Sequence, residues 1–497
     1  ITKMASQIGL YGLGVMGQNY ALNVASKGFT ISVNNRSPGR VDTTVARAEK
    51  EGLGDKVCGF KDTAEFVASL QRPRRVMFLV TAGPVVDKTI AMFAELLEEG
   101  DIIIDAGNEW FENSVRRAKE LHPKGIMYVA MGISGGEEGA RNGPSIMPGC
   151  PREAYDALED ILVATAADDG DGGKCVTWLG EIGSGNHVKM VHNGIEYGDM
   201  QMISEAYDML RTVGGFSNEE CAAVFAEWNE AELDSFLIEI TSKILAKKDD
   251  QCLDWSDSSM VPAQGLDMVD LILDATANKG TGKMTVKEAA TRGVAAPAIA
   301  ASLDARFISF LKDERLAAEE IFGGLSIPPT ADKEQLKTDV KNALFCSKIC
   351  SYAQGMNIIR GASEAFGWDV NLGESARIWK GGCIIRAKFL STISQAYTEN
   401  PDLASLLVHP VFAEELKSRD ESWRRIVSLG VCSGIATPSM SASLAYFDQY
   451  RRGRLPANLV QAQRDFFGSH TFERTDKPRG EKFHCIWTEA HIAETGH

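Results

Sequence analysis

The chain has 497 residues, 44% hydrophobic and 24% charged, with 47 glycines and 16 prolines, which is material for about three folded units and excludes a disordered or collagen-like chain. Its 52 Lys and Arg against 68 Asp and Glu leave a net charge of −16, the wrong sign for a general binder of nucleic acid or anionic membranes. No run approaches the ~20 apolar residues of a membrane-spanning helix. Residues 1–7 lack the apolar stretch of a secretory signal, and Met4 is expected to be the natural start, with Ile1, Thr2 and Lys3 placed ahead of it. Ten cysteines are scattered without a C-x-x-C pair, and Cys346 and Cys350 are spaced as helix neighbours. Reduced thiols in a cytoplasmic protein are therefore expected, with no metal site.

Short apolar runs at residues 7–11, 30–33, 75–80, 101–105 and 127–131 alternate with amphipathic stretches, which predicts a parallel sheet wrapped by helices. Residues 76–80 and 102–104 are apolar in succession, as in strands covered on both faces, and are expected at the centre of the sheet. A helix is expected near 153–167, then an Asp/Gly loop and a last strand around 175–179. The aspartates of that loop lack the Gly and Glu offsets of a calcium-binding loop. After Gly185 the strand signals stop. Residues 187–214 carry an unbroken helical pattern closed by Gly214-Gly215, and further helices follow to about residue 452. From Gly453 the pattern breaks, and the remainder has too few apolar residues for a core of its own, so it is expected to be a tail lying on another surface. The expected division is an α/β unit at 1–182 with a Rossmann-type doubly wound sheet, an all-helical domain at 183–452 and a C-terminal tail at 453–497.

Gly12-Leu13-Gly14-Val15-Met16-Gly17 follows the first predicted strand and opens a helix, the context in which G-x-G-x-x-G binds a dinucleotide. The first glycine permits the tight turn, the second lets backbone approach the pyrophosphate, and the third lets helix and strand pack closely. The second strand ends Asn34-Asn35-Arg36-Ser37, without the carboxylate that would bind a ribose 2′-OH. Arginine there pairs with a 2′-phosphate, which favours NADP over NAD.

Lys189, His192, Asn193, Glu196 and Tyr197 stand at i, i+3, i+4, i+7 and i+8 of the long predicted helix and so share one face. Met190, Val191 and Ile195 occupy the other faces. A polar stripe on an otherwise apolar helix reads as a buried site. Gly132-Ile133-Ser134-Gly135-Gly136-Glu137-Glu138-Gly139 offers a hydroxyl and glycine amides for a carboxylate or phosphate; it also fits G-x-S-x-G, the nucleophile elbow of hydrolases, which leaves the first glycine motif and Asn35-Arg36 unexplained. Lys279-Gly280-Thr281-Gly282-Lys283 echoes a P-loop, but Ala277 and Met284 stand where Gly and Ser/Thr are required.

Over nearly its whole length the chain resembles the 6-phosphogluconate dehydrogenases. The likeness is carried by Gly12 to Gly17, Asn35-Arg36-Ser37, Asp105 to Asn108, Ser134 to Arg141, Lys189 to Tyr197, Lys279 to Lys283 and Arg464-Asp465-Phe466-Phe467-Gly468-Ser469-His470. Two positions depart from the family's usual pattern: Ser37 stands where threonine is frequent, and Thr81 where lysine is. The resemblance implies oxidative decarboxylation of 6-phosphogluconate with NADP, Lys189 acting as general base and Glu196 as acid. It implies that Asn108, Ser134, Gly135, Gly136, His192 and Asn193 hold the carboxylate and hydroxyl end of the sugar acid, and that Tyr197, Lys279, Thr281 and Arg306 hold its phosphate. Gly12, Leu13, Gly14, Val15, Met16, Gly17, Asn35, Arg36, Ser37, Val80 and Asn108 are implied for the cofactor. Arg464 and His470 of the tail would serve the other subunit's site, making a homodimer through the helical domain. Two other readings are a β-hydroxyacid dehydrogenase for an unphosphorylated acid, which would not need Lys279, Arg306, Arg464 and His470 together, and an NADP-binding regulator, which would not need both Lys189 and Glu196.

Overall fold

The computed structural model describes residues 5–277, 279–324 and 332–488; Met4 and the residues before it lie outside them. Seven strands, β1 (Ile8–Tyr11), β2 (Ile31–Asn34), β3 (Val57–Gly59), β4 (Arg75–Phe78), β5 (Ile102–Asp105), β6 (Met127–Ser134) and β7 (Ser145–Gly149), form one sheet in the order β3-β2-β1-β4-β5-β6-β7. β1 to β6 are parallel, and β7 runs antiparallel to β6 with Pro148 opposite Met131. β4 and β5 are interior strands, as their continuous apolar runs require. Successive residues feed opposite faces: Leu10, Met77 and Ile104 join a core with Leu22 and Leu162, while Tyr11, Phe78 and Ile103 join another with Phe66 and Phe93. The strand order reverses between β1 and β4, the switch point past which open α/β sheets bind ligands.

Three expectations need correction. Residues 175–179 are not a strand: they make one bridge, Val176 to Ile146. Two backbone bonds tie this segment to β7, from Ile146 N to Cys175 O and Leu179 N to Pro148 O, and a third follows just beyond both, from Cys150 N to Gly180 O, but Pro148 has no N–H to continue a ladder. β7 itself was hidden by its Pro and Gly, and β3 by its length of three residues. The helix expected at 153–167 is two, Arg152–Asp156 and Glu159–Thr165.

Beyond Gly183 the chain is largely helical, with a small hairpin, Cys252–Leu253 against Met260–Val261, that the expectation of an all-helical region missed. Its axis is the helix Ser184–Asp208, prolonged by a π-helical turn, Met209–Val213. The first turn lies directly on the sheet: a Cβ on Gly185 would strike the carbonyls of Met147 and Ala130. Small residues bring it equally close to the 34-residue helix Lys333–Phe366, where a Cβ on Gly355 would sit 2.5 Å from Ile195 Cδ1. Cys346 and Cys350 are buried on that second helix, and all ten cysteines are unpaired. Among the described residues no helix is long and apolar enough to cross a membrane. The chain forms two compact units, Ile1–Leu444 and Ala445–His497; the second contains the helix Ala457–Gly468 and a bridge between Phe472 and Phe483.

Candidate active site

The glycine motif closes the turn between β1 and the helix Val15–Ser26. Gly12 has φ +107°, and a Cβ there would strike the carbonyl of Leu79; a Cβ on Gly17 would strike the carbonyl of Gly12. Gly14 differs: it is extended, at φ −72° and ψ −171°, and a Cβ would meet nothing nearer than Arg40 Nη1 at 3.8 Å. Gly12 and Gly17 therefore serve the fold, and Gly14 keeps a surface open above a helix N-terminus without a side-chain cap. Such a terminus offers free amides to an anion, so the residues present fit a dinucleotide pyrophosphate. Asn35 Oδ1 accepts from Leu13 N at 2.9 Å, fixing the glycine loop to the end of β2, and Arg36 and Ser37 are exposed beside it. Val15 is exposed and Met16 half-buried.

Val80 and Asn108 lie on the loops that follow β4 and β5. A buried clamp joins these loops: Glu109 Oε2 accepts from Gly83 N at 2.7 Å and from Arg117 Nη1 at 2.6 Å, and Arg117 Nη2 donates to Gly83 O at 3.0 Å. Burial would raise the Glu109 pKa, but these donors and Asn113 outweigh it and hold the carboxyl below its usual range.

The polar stripe is buried, as the helix pattern requires. Lys189, His192, Asn193 and Tyr197 are buried, and Glu196 is half-buried. Lys189 reaches this depth because β6 carries Gly132 beneath it: a Cβ on Gly132 would stand 2.6 Å from Lys189 Cγ and nearer still to its Cβ. Burial lowers the Lys189 pKa to about 8, against the partial opposition of Glu196 and Cys383. Burial also raises the Glu196 carboxyl above its ordinary value, countered in part by Lys189, Arg306 and Lys279. Burial and the neighbouring lysine hold His192 neutral. Its Nε2 is 3.1 Å from Ser134 Oγ, and its Nδ1 is 3.0 Å from Asn193 Oδ1 and 3.4 Å from Lys189 Nζ. A ring with its proton on Nδ1 donates to Asn193 and accepts from the Ser134 hydroxyl, satisfying both nitrogens.

Met16, Asn108, Ser134, Gly135, Gly136, Lys189, Asn193, Glu196, Tyr197, Lys279, Thr281 and Arg306 line one cavity of about 390 Å³. The glycine motif and the helical stripe thus meet at one opening. His192 stands behind the wall, bracing Ser134 and Lys189. Arg306 sits over Tyr197, its Cζ 3.6 Å from the ring centroid. Thr281 begins the helix Thr281–Arg292, whose uncapped N-terminus adds amides beside Lys279. Gly282 admits the Tyr197 ring, since a Cβ there would stand 2.6 Å from it. Arg464 and His470 belong to the second compact unit.

Sequence reasoning missed Ile133, Met200, Ala277 and Ile384, which also line the cavity. Ile384 comes from the turn after Gly381-Gly382, and a Cβ on Gly135 would stand 2.5 Å from the Gly382 carbonyl. The double glycine in a helical region was the available signal. The turn is held by Tyr352, which donates to Ile385 O at 2.7 Å, and Lys348 pairs with Asp199 at 2.5 Å to fix the central helix beside it. Cys383, within this turn, is a neutral thiol that burial pushes up to about 12. Among the described residues no group of three or more His, Cys, Asp and Glu is placed to hold a metal ion.

Residues 7–180 match the family described as NAD binding domain of 6-phosphogluconate dehydrogenase, and residues 185–487 that described as 6-phosphogluconate dehydrogenase, C-terminal domain. The chain is 59% identical over 483 residues to 6-phosphogluconate dehydrogenase, decarboxylating 1, of Oryza sativa subsp. japonica, covering 97% of this chain and 98% of that protein. It is 58% identical over 491 residues to 6-phosphogluconate dehydrogenase, decarboxylating 3, chloroplastic, of Arabidopsis thaliana, with the same coverage. Among solved structures, the Plasmodium falciparum 6-phosphogluconate dehydrogenase, known in apo form and in complex with NADP+ and with 6-phosphogluconate, is 47% identical and superposes with a TM-score of 0.90 over 97% of this chain and 100% of that one.

Proposed function

The chain belongs to the 6-phosphogluconate dehydrogenase family, and from that premise we propose how its residues carry out the reaction. It oxidises and decarboxylates 6-phospho-D-gluconate to D-ribulose 5-phosphate and CO2 with reduction of NADP to NADPH. Bound NADP supplies the hydride acceptor; the glycine loop from Gly12 to Gly17, Asn35, Arg36, Ser37, Val80 and Asn108 are the residues to hold it.

Lys189, neutral when substrate arrives, takes the proton of the C3 hydroxyl as the C3 hydride leaves. The resulting β-keto acid loses its carboxylate as CO2, the electron pair passing to the C3 oxygen, which the lysine, now an ammonium, stabilises. Glu196 then protonates the carbon that bore the carboxylate as the C3 carbonyl re-forms, which gives the ketose. Ser134, Gly135, Gly136, Asn193 and Asn108 hold the acid and hydroxyl end, with His192 bracing Ser134 and Asn193 from behind; Tyr197, Lys279, Thr281 and Arg306 hold the phosphate. The observation that carries this assignment is a buried lysine, with its pKa lowered to about 8, opening on the same cavity as Glu196 and a cationic far end.

The reading extends to assembly and setting. The chain acts as a homodimer, its tail from Gly453 carrying Arg464 and His470 into the partner's site. The exposed Leu459, Val460 and Phe467 of that tail support this, since monomer surfaces seldom gather such side chains. The division at 1–182, 183–452 and 453–497 assigns cofactor binding, substrate binding and exchange in that order. We place the reaction in the oxidative pentose phosphate pathway and gluconate utilisation, in the cytoplasm, although related proteins include chloroplastic ones. The test is joint measurement of NADPH and CO2 from 6-phosphogluconate and from gluconate, with and without a chelator. Turnover of the phosphorylated acid, unaffected by chelation, is expected; equal turnover of gluconate would refute the phosphate assignments.

A further inference from the structure

The unit Ala445–His497 has a hydrogen-bonded centre. The helix Ala457–Gly468 buries Asp465, which is fully inaccessible. Its Oδ1 accepts from Thr471 N at 2.9 Å and lies 3.0 Å from His484 Nδ1; its Oδ2 accepts from Cys485 N at 3.1 Å and Trp487 Nε1 at 2.8 Å. Burial would raise this carboxyl, but His484, Cys485, Trp487 and Thr471 outweigh it and hold it at about 2, so it stays charged.

What this carboxylate secures is an unusual turn. Ser469 has φ +48° and Thr471 φ +59°, both left-handed without being glycine. Such conformations persist only where surrounding bonds impose them. His470 stands between the two, its ring packed where a Cβ on Gly468 would come within 2.7 Å of Nε2. Gln461 adds a bond to Thr471 O at 2.5 Å, and also accepts from Arg464 Nη1 at 3.0 Å. One carboxylate therefore anchors the end of the helix that bears Arg464, the turn that bears His470 and the returning segment 483–487.

We propose that Asp465 is a positioning residue: it presets the backbone that displays Arg464 and His470, so that the ordering cost is met before a phosphate is bound. This rests on the reading of those two cations as ligands of the substrate phosphate, and adds the device that holds them.

The test is a double-mutant cycle in the full-length protein with Asp465→Asn and His470→Ala, together with Trp487→Phe, which removes a single donor and keeps the fold if Asp465→Asn does not. Expected are a rise in KM for 6-phosphogluconate of more than tenfold in Asp465→Asn and severalfold in Trp487→Phe, with kcat and the Kd for NADPH within about twofold of wild type. Because Asp465 acts through His470, adding Asp465→Asn or Trp487→Phe to His470→Ala should raise KM much less than it does alone. Effects that multiply fully, or a KM unchanged in both Asp465→Asn and Trp487→Phe, overturn the proposal. A KM unchanged in His470→Ala itself overturns the ligand reading and the proposal with it.

Discussion

Lys189 and Glu196 illustrate how far environment moves a side chain from its ordinary chemistry. Burial pushes the lysine down to about 8 and the carboxyl up, so the two approach one another and titrate as one pair that passes through a singly protonated form. The form with neutral lysine and protonated glutamic acid is a tautomer of that singly protonated pair. We therefore expect a bell-shaped pH dependence of kcat/KM. Activity falls on the acid side as a second proton binds the Glu196 carboxylate, and on the alkaline side above about 8 as the pair loses its proton. In Glu196→Gln the amide has no proton to lose: the alkaline limb should vanish, with kcat lowered by about 10²–10⁴ as for loss of a general acid. An alkaline limb that survives assigns it to another group. Arg36 offers a second residue-scale check. It is exposed at the end of β2, where the chain has no carboxylate, so Arg36→Ala should lower kcat/KM with NADP far more than with NAD. An equal loss with both cofactors would remove Arg36 from the 2′-phosphate.

Among the elements, the decisive contact is between β6 and the central helix, where the stem of Lys189 rests on Gly132. Gly132→Ala has no room, and overpacking of this kind costs about 1–3 kcal/mol in unfolding free energy. Because the displaced group is the lysine itself, kcat should fall with stability; a variant that unfolds more easily yet keeps wild-type kcat would show that Lys189 tolerates the shift. The glycine loop gives the opposite case. Gly14→Ala meets neither backbone nor a forbidden φ, so denaturant unfolding should match wild type while the Kd for NADPH rises at least tenfold. An unchanged Kd would mean that the pyrophosphate does not approach this residue. The pair separates a glycine required by packing from one required by a ligand.

For the whole molecule, the testable consequence is the exchange of tails. If each site takes its tail cations from the partner, chains bearing Arg464→Ala, raised in KM as homodimers, and chains bearing Lys189→Met, inactive as homodimers, should form heterodimers active at low substrate. One of the two sites then joins an intact lysine to an intact arginine, and the other has neither. Differentially tagged heterodimers that remain inactive would show that Arg464 serves its own subunit or none.

The sequence by itself determined what is local. Short apolar runs marked five of the seven strands, a 3.6-residue pattern marked the central helix, the glycine spacing marked the β1 turn, and Arg36 in place of a carboxylate marked the cofactor. The stripe from Lys189 to Tyr197 was legible because five polar residues on one helix face need no knowledge of their neighbours. Tertiary structure alone decided what faces that stripe, Gly132 beneath the lysine, Arg306 over the Tyr197 ring and the Gly381-Gly382 turn that brings in Ile384, and it alone made the Glu109–Arg117 clamp between the loops that follow β4 and β5. It also decided the protonation of Lys189, because loss of hydration depends on atoms arriving from every side, most of them distant in the chain, whereas residue spacing records only one element's own geometry.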